Sequence, residues 1–510
     1  MSYAAAERAP VGRPQAASWR IIAAGLLAVC AVYAIPLVLP FARNGRIQPV
    51  KMPDEAIYMV RVAAAARGQS LASPYLAGHE DAPQYMPALS ERALSLVVRL
   101  GISPGALASA MRVLQPALIF LLVVAISMQL GSTAFSASAA GLLATLLPSF
   151  SQAPWNSAGL PGYLRYLRFL SPGFHVIVFL AAVWLVAACW NRRTWASGVA
   201  AGVAIGVVFY LPIFYWAALW CAAALMAVTA DGGWKARRAL LLGCAIGAGF
   251  SVPVAMQSLR NAGNVAVQQT LHRWPTLMLL PGRRPEDAQI PLALAACVII
   301  ALGIYRRSRV LRFLAPFFLV SIPLILQNVI TNRRIQAYHF IDPLLPLAAI
   351  AVAELGAQRR TPRTVIAGFA VLLATAGAVR MVVDENRLEQ LIQKQPESWD
   401  LEACMPRTVA MLRQKTPPGS VVDAPLAVME ILPIFTANHV YYAEFARQHV
   451  VGDEEITIRG REAAKWPDVS ILSYPADYYL GTGEACDRLP GIFFRDAQEH
   501  ACIGSARAAP

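Results

Sequence analysis

Apolar runs of membrane length, divided by short polar loops, fill the first three quarters of the chain. Eleven can be counted, at about 19–40, 113–130, 133–150, 173–190, 196–212, 214–230, 239–257, 290–305, 310–330, 341–357 and 364–383. A helix rising ~1.5 Å per residue needs about 20 residues to cross ~30 Å of hydrocarbon, so these runs predict transmembrane helices, several near the short limit. Pro212, in Tyr210-Leu211-Pro212-Ile213-Phe214-Tyr215-Trp216, splits one long stretch in two, because proline ends or kinks a helix. The first run ends in Leu37-Val38-Leu39-Pro40 with no small-residue cleavage pattern, so it is expected to stay as a helix.

Between the first two runs lies a long polar segment, 41–105, whose periodicity predicts helices at 54–67, ended by Gly68, and at 90–100. From residue 384 the pattern changes again. A helix over 401–415 precedes Pro417-Pro418-Gly419, runs at 421–422, 439–442, 469–472 and 492–494 predict strands, and 454–465 predicts another helix. The expected fold class is an all-α polytopic membrane protein of about 11 transmembrane helices over 1–383, with a small α/β domain over 384–510.

Composition agrees with this pattern. Of 510 residues, 57% are hydrophobic and 15% charged, where soluble domains carry roughly a quarter charged residues. The net charge of +14 sits largely in short loops and forms no basic stripe interleaved with aromatics, which argues against nucleic acid as a partner and for membrane lipids as the surroundings. Arg8, Arg13 and Arg20 precede the first run. Alternate loops then carry Arg192 and Arg193, Lys235 with Arg237 and Arg238, Arg306 with Arg307 and Arg309, and Arg359 with Arg360 and Arg363. The positive-inside rule puts all of these in the cytoplasm, so a multi-pass inner-membrane protein with a cytoplasmic N-terminus and an outer tail is expected. Cys404, Cys486 and Cys502 then lie outside, where a disulfide is permitted; Cys486 with Cys502 is the pairing taken, with the others left open.

Candidate chemistry concentrates in the outer segments 41–105, 151–172, 258–289 and 331–340. Asp54 and Glu55, in Pro53-Asp54-Glu55-Ala56-Ile57-Tyr58, follow the first run closely, with Tyr58 and Arg61 about one and two turns on. A carboxylate there suits a catalytic base, Asp54 ahead of Glu55, although acids in a helix's first turn are also favoured by its dipole. Four arginines run against the topology bias: Arg165 and Arg168 just before a span, and Arg333 and Arg334 between two spans. The planar, always charged guanidinium suits a lipid phosphate at that depth. Gln336 and His339 share the second arginine loop, and His175 opens a span after Pro172-Gly173, so these three are candidate substrate contacts. His79-Glu80-Asp81 could hold a divalent cation, but its Gly- and Pro-rich flanks read as a solvated turn and no metal is assigned. No phosphate-binding Gly-rich motif or nucleophile pattern appears.

These parts resemble the GT-C superfamily of polytopic glycosyltransferases, which includes protein O-mannosyltransferases, aminoarabinose and arabinose transferases, and oligosaccharyltransferases. The likeness rests on the acidic pair opening a long first outer loop, on Arg168-Phe169-Leu170-Ser171-Pro172-Gly173-Phe174-His175 entering a span, on the Gly- and aromatic-rich stretch 202–216, and on Arg334-Ile335-Gln336-Ala337-Tyr338-His339. The second acidic motif of the superfamily is missing, since 151–172 contains no Asp or Glu. The resemblance implies an inverting transfer of a sugar from a polyprenyl-phosphate carrier. In it Asp54, or Glu55, is the base, and Arg165, Arg168, Arg333 or Arg334 meets the leaving phosphate. The acceptor is left open. The rival reading is a polytopic transporter or lipid-linked glycan flippase, whose cavity would sit at the membrane midplane instead of the outer face.

Overall fold

The computed structural model describes residues 16–52, 54–85, 88–146, 164–229, 233–273, 289–306, 308–327, 337–358 and 363–506. Its helices are α1 (Ala16–Asn44), α2 (Glu55–Ala66), α3 (Leu89–Arg99), α4 (Pro104–Gln129), α5 (Ala134–Leu146), α6 (Gly173–Arg192), α7 (Trp195–Val208) and α8 (Ile213–Thr229). There follow α9 (Gly233–Ala262), α10 (Val265–Arg273), α11 (Gln289–Arg306), α12 (Arg309–Ile325), α13 (Ile341–Gln358) and α14 (Arg363–Lys394). Each of the expected apolar runs holds a helix. Six of the helices are long and apolar enough by themselves to cross a membrane, and shorter apolar helices include α5, α7 and α8.

Packing follows side-chain size. The helix α1 lies against α4, α5 and α14, and α6 bridges α4 and α7. In α7, Gly198, Gly202 and Gly206 fall one turn apart on one face, and a Cβ on any of them would press within 2.5–2.7 Å of α9 atoms. Small residues in that stripe let two apolar helices meet backbone to backbone where no water drives them together. The outer faces of α9 and α14 carry exposed apolar side chains such as Val252, Met256, Leu259, Phe369, Val371 and Leu372, as helices facing lipid should.

The helix expected over 364–383 continues, as α14, to Lys394, so it rises past the apolar stretch and brings Glu385 to the loop before α2. Beyond it, the helix expected over 401–415 is broken: Leu401–Cys404 forms one turn and α15 (Pro406–Lys415) restarts, because Pro406 cannot continue the preceding turn but suits a first helical position. A five-stranded sheet follows, of β1 (Val421–Asp423), β2 (His439–Val440), β3 (Tyr478–Thr482), β4 (Ile492–Asp496) and β5 (Ala501–Ser505), with α16 (Asp453–Ala463) between β2 and β3. The strand order is β2-β1-β3-β5-β4, parallel on the β2-β1-β3 side and antiparallel across β3-β5-β4.

The run 469–472, expected as a strand, is instead a tight turn. Asp468 accepts hydrogen bonds from the Ser470 backbone N–H at 3.2 Å and its hydroxyl at 2.6 Å, and this local bonding competes with a ladder. The central strands β3 and β5 carry Gly481 and Gly504, which hid them from a pattern reading. Cys486 and Cys502 are joined by a disulfide. The tail packs onto the loop between α2 and α3 through main-chain bonds from Val440 N–H to Tyr75 O (2.8 Å) and from Val450 N–H to Ala72 O (3.1 Å). Arg67 donates to Thr436 O and Pro433 O.

Candidate active site

The two adjacent acids divide the work by geometry. Glu55 is completely buried and its carboxylate is saturated. Its Oε2 accepts from Lys51 N–H (2.7 Å), Met52 N–H (3.2 Å) and Arg112 Nη2 (2.9 Å), while Oε1 accepts from Phe169 N–H at 2.8 Å. Asp54, one residue earlier at the N-terminus of α2, makes no capping bond; its side chain is 43% exposed and forms an ion pair with Arg168. Its second oxygen, Oδ1, has no partner among the described residues. Glu55 therefore takes the first-turn position at the positive end of the α2 dipole, and Asp54 is directed at the cation.

Arg112 completes the Glu55 node. It is 0% exposed and donates also to Gln48 O (3.1 Å) and Pro49 O (2.7 Å), so one guanidinium knits the pre-α2 loop to α4. An unpaired charge at such a site would be prohibitive, and Glu55 is its counter-ion. The sequence reading placed Arg112 just outside a span starting at 113 and assigned it nothing. The helix starts at Pro104, so Arg112 is two turns inside, and an arginine inside an apolar helix was the available signal. The same loop is tied to α14 by a buried pair, Lys51 Nζ to Glu385 Oε2 at 2.7 Å. Burial pulls the Lys51 ammonium down to about 8, against the opposing pull of Glu385.

The segment bearing the first arginine pair is held from its apolar side. Tyr166, Leu167, Phe169 and Leu170 are buried, and Leu170 adopts φ 68°, a left-handed backbone that branched side chains rarely take. Gly173 lets the following helix close on α4, since a Cβ there would overlap the Gln115 side chain. This pinning presents Arg165 and Arg168 to different partners. Arg168 meets Asp54, whereas Arg165 forms a double contact with Asp342 in the first turn of α13. His339 Nδ1 lies 3.5 Å from the other Asp342 oxygen.

Asp342 is thus a site acid that the sequence reading did not single out; its signal was an acid three residues beyond His339 at a helix start. It supplies from α13 a carboxylate that 151–172 lacks. The Tyr58 and Ser171 side chains lie beside each other, which brings α2 against the same segment. Arg61 turns away from Asp54 to pair with Glu91 of α3 at 2.7 Å and to donate to Leu71 O. Ser90 links this pair to His175, bonding Glu91 at 2.9 Å and the His175 ring at 3.1 Å.

The structure therefore brings together Asp54, Glu55, Tyr58, Arg165, Arg168 and His339, and joins Arg61 to His175 through Ser90 and Glu91. Arg333, Arg334 and Gln336 lie outside the described residues. His79 pairs with Glu455 and Glu80 accepts the Gly78 N–H. Among the described residues, no group of three or more His, Cys, Asp or Glu side chains is placed to hold a metal ion.

No family profile matches the sequence, and no curated protein matches it. Twenty solved chains match its structure. One is ArnT from Cupriavidus metallidurans, solved bound to undecaprenyl phosphate, at 15% identity and a TM-score of 0.54, with 97% of this chain and 100% of that chain covered. A likeness over 97% of this chain and all of that one shows that this protein shares that structure's fold, the polytopic GT-C-like architecture expected from the sequence, with helices long and apolar enough to cross a membrane.

Proposed function

We propose that this protein is an inverting glycosyltransferase that moves a sugar from a polyprenyl-phosphate carrier to an acceptor at the outer face of the membrane. The observation that carries the reading is the Asp54–Arg168 pair: a carboxylate and a cation, held by separate elements, stand together at the start of α2. The fold shared with a protein solved with undecaprenyl phosphate supports the carrier. Outer-face placement is supported by the loop charges and by the disulfide in the tail that packs on the first outer loop.

In the proposed reaction Asp54 takes the proton of the acceptor hydroxyl or amine as that atom attacks the anomeric carbon. The bond from that carbon to the phosphate oxygen breaks, and polyprenyl phosphate leaves with its new charge facing Arg168. Arg165 is compensated by Asp342, which suits it to shaping the site rather than to taking the full phosphate charge. The pairing also couples the two halves of the reaction. A donor phosphate drawing Arg168 away would leave Asp54 with less positive charge beside it, and so a stronger base when the donor is bound. Glu55, with four donors on it, acts as the residue that positions both partners. The test is Asp54→Asn in purified protein supplied with polyprenyl-phosphate sugars. Transfer should fall by about 10²–10⁴-fold with undecaprenyl phosphate still bound, and turnover like that of the unaltered protein would exclude Asp54 as base.

A further inference from the structure

At the far end of α2 from Asp54, a polar cavity of about 760 Å³ opens between α2, α3, the first outer loop and the tail sheet. Gln69, Ser73, Glu80, Arg92, Arg99 and His439 line it. Two of these are buried polar groups with an atom that has no partner among the described residues. His439, the first residue of β2, is 6% exposed and Ser73 is 2% exposed, and among the described residues neither the His439 Nδ1 nor the Ser73 hydroxyl has a hydrogen-bond partner. A buried polar group left unsatisfied is destabilising, so two of them lining one polar cavity mark a place where a ligand completes the bonding.

Burial lowers the His439 pKa, so at neutral pH the ring is uncharged and offers one donor and one acceptor nitrogen. Arg99 donates to the carbonyls of Ala65 and Ala66 at the end of α2, and Arg92 to Gln84 Oε1. Among the described residues neither arginine has a carboxylate partner. Glu80 is the acid in this lining, and with two arginines against it the cavity keeps one net positive charge.

We propose that this cavity binds a saccharide unit bearing one negative group, phosphate or carboxylate, as part of the acceptor. This rests on the transferase reading for its role, though the binding itself does not depend on it. Hydroxyl-rich rings match Ser73, His439 and Gln69, and the negative group matches the uncompensated arginines. The 12-residue α2, rising ~1.5 Å per residue, sets the cavity about 16–18 Å from Asp54. An extended oligosaccharide acceptor could bridge that spacing while its growing end reaches the base.

Saturation-transfer NMR on the full-length protein in detergent tests this with glucose 1-phosphate, glucuronic acid, maltose and inorganic phosphate as probes. Saturable binding of at least one anionic sugar below ~10 mM is expected, with maltose and inorganic phosphate each at least ~5-fold weaker. Which anionic sugar binds tells phosphate from carboxylate. His439→Ala and Ser73→Ala should each weaken that binding about 3–10-fold without lowering the melting temperature, because each removes an unpaired buried atom. Should His439→Ala melt early, Ser73→Ala decides. Absence of saturable binding, equal binding of maltose or of inorganic phosphate, or indifference to both substitutions would overturn the proposal. Asp54→Asn should leave probe binding intact, so loss of the transferase reading and loss of this site give different results.

Discussion

Replacing Glu55 separates the two acids most sharply. In Glu55→Ala, Arg112 loses its counter-ion while staying fully buried, which by itself costs about 3–5 kcal/mol. The N–H groups of Lys51, Met52 and Phe169 lose their acceptor too, and water entering the space left by the side chain recovers part of that loss. A net destabilisation of at least about 4 kcal/mol follows. Glu55→Gln is not conservative here. With its oxygen turned to the three donors on one side, its amide NH₂ faces the Phe169 N–H, and the charge opposite Arg112 is gone. About 2–3 kcal/mol is expected for it. Thermal unfolding in detergent, followed by intrinsic tryptophan fluorescence, should therefore rank Glu55→Ala below Glu55→Gln, and both below Asp54→Asn, which should melt like the unaltered protein. An Asp54→Asn protein as unstable as Glu55→Ala, or a Glu55→Ala protein that melts normally, would refute the division of roles.

Other outcomes follow from single contacts. Arg168→Ala should weaken binding of undecaprenyl phosphate about 10-fold or more with little loss of stability, whereas Arg165→Ala should mainly destabilise by leaving buried Asp342 with His339 alone beside it; isothermal titration beside a melting curve separates them. In the tail, burial raises the Asp423 carboxyl to about 7, helped by the Glu462 charge and opposed by its bond from the Ala424 N–H. The folded state holds that proton more tightly than the unfolded chain, so its contribution is present below about pH 4 and lost as pH rises through about 7. Between pH 6 and pH 8 the loss is on the order of 1 kcal/mol. Denaturant titration at the two pH values should show it, and Asp423→Asn should flatten it. Replacing Cys486 and Cys502 by serine opens a link across 16 residues and should cost the tail about 3 kcal/mol, seen as faster proteolysis after β3.

Much of this protein was legible in the sequence because bilayers impose a coarse and local rule. A helix must be apolar for about 20 residues, and nothing distant can compensate. That is why the eleven apolar runs, α2, α3, β1, β4 and α16 stand where the pattern put them, and why Asp54 and Arg168 could be named as candidates from their outer positions. Only the tertiary structure decided which charges belong to each other. Glu55 is joined to Arg112, Arg165 to Asp342, Arg61 to Glu91, and Lys51 to Glu385, across separations of 57, 177, 30 and 334 residues. Ion pairing depends on distance in space and on exclusion of water, and neither is written in local pattern. The chain itself supplied the acids and arginines in the loop segments between its apolar runs. Packing decided that Glu55 would be consumed in holding the site and Asp54 left to face it.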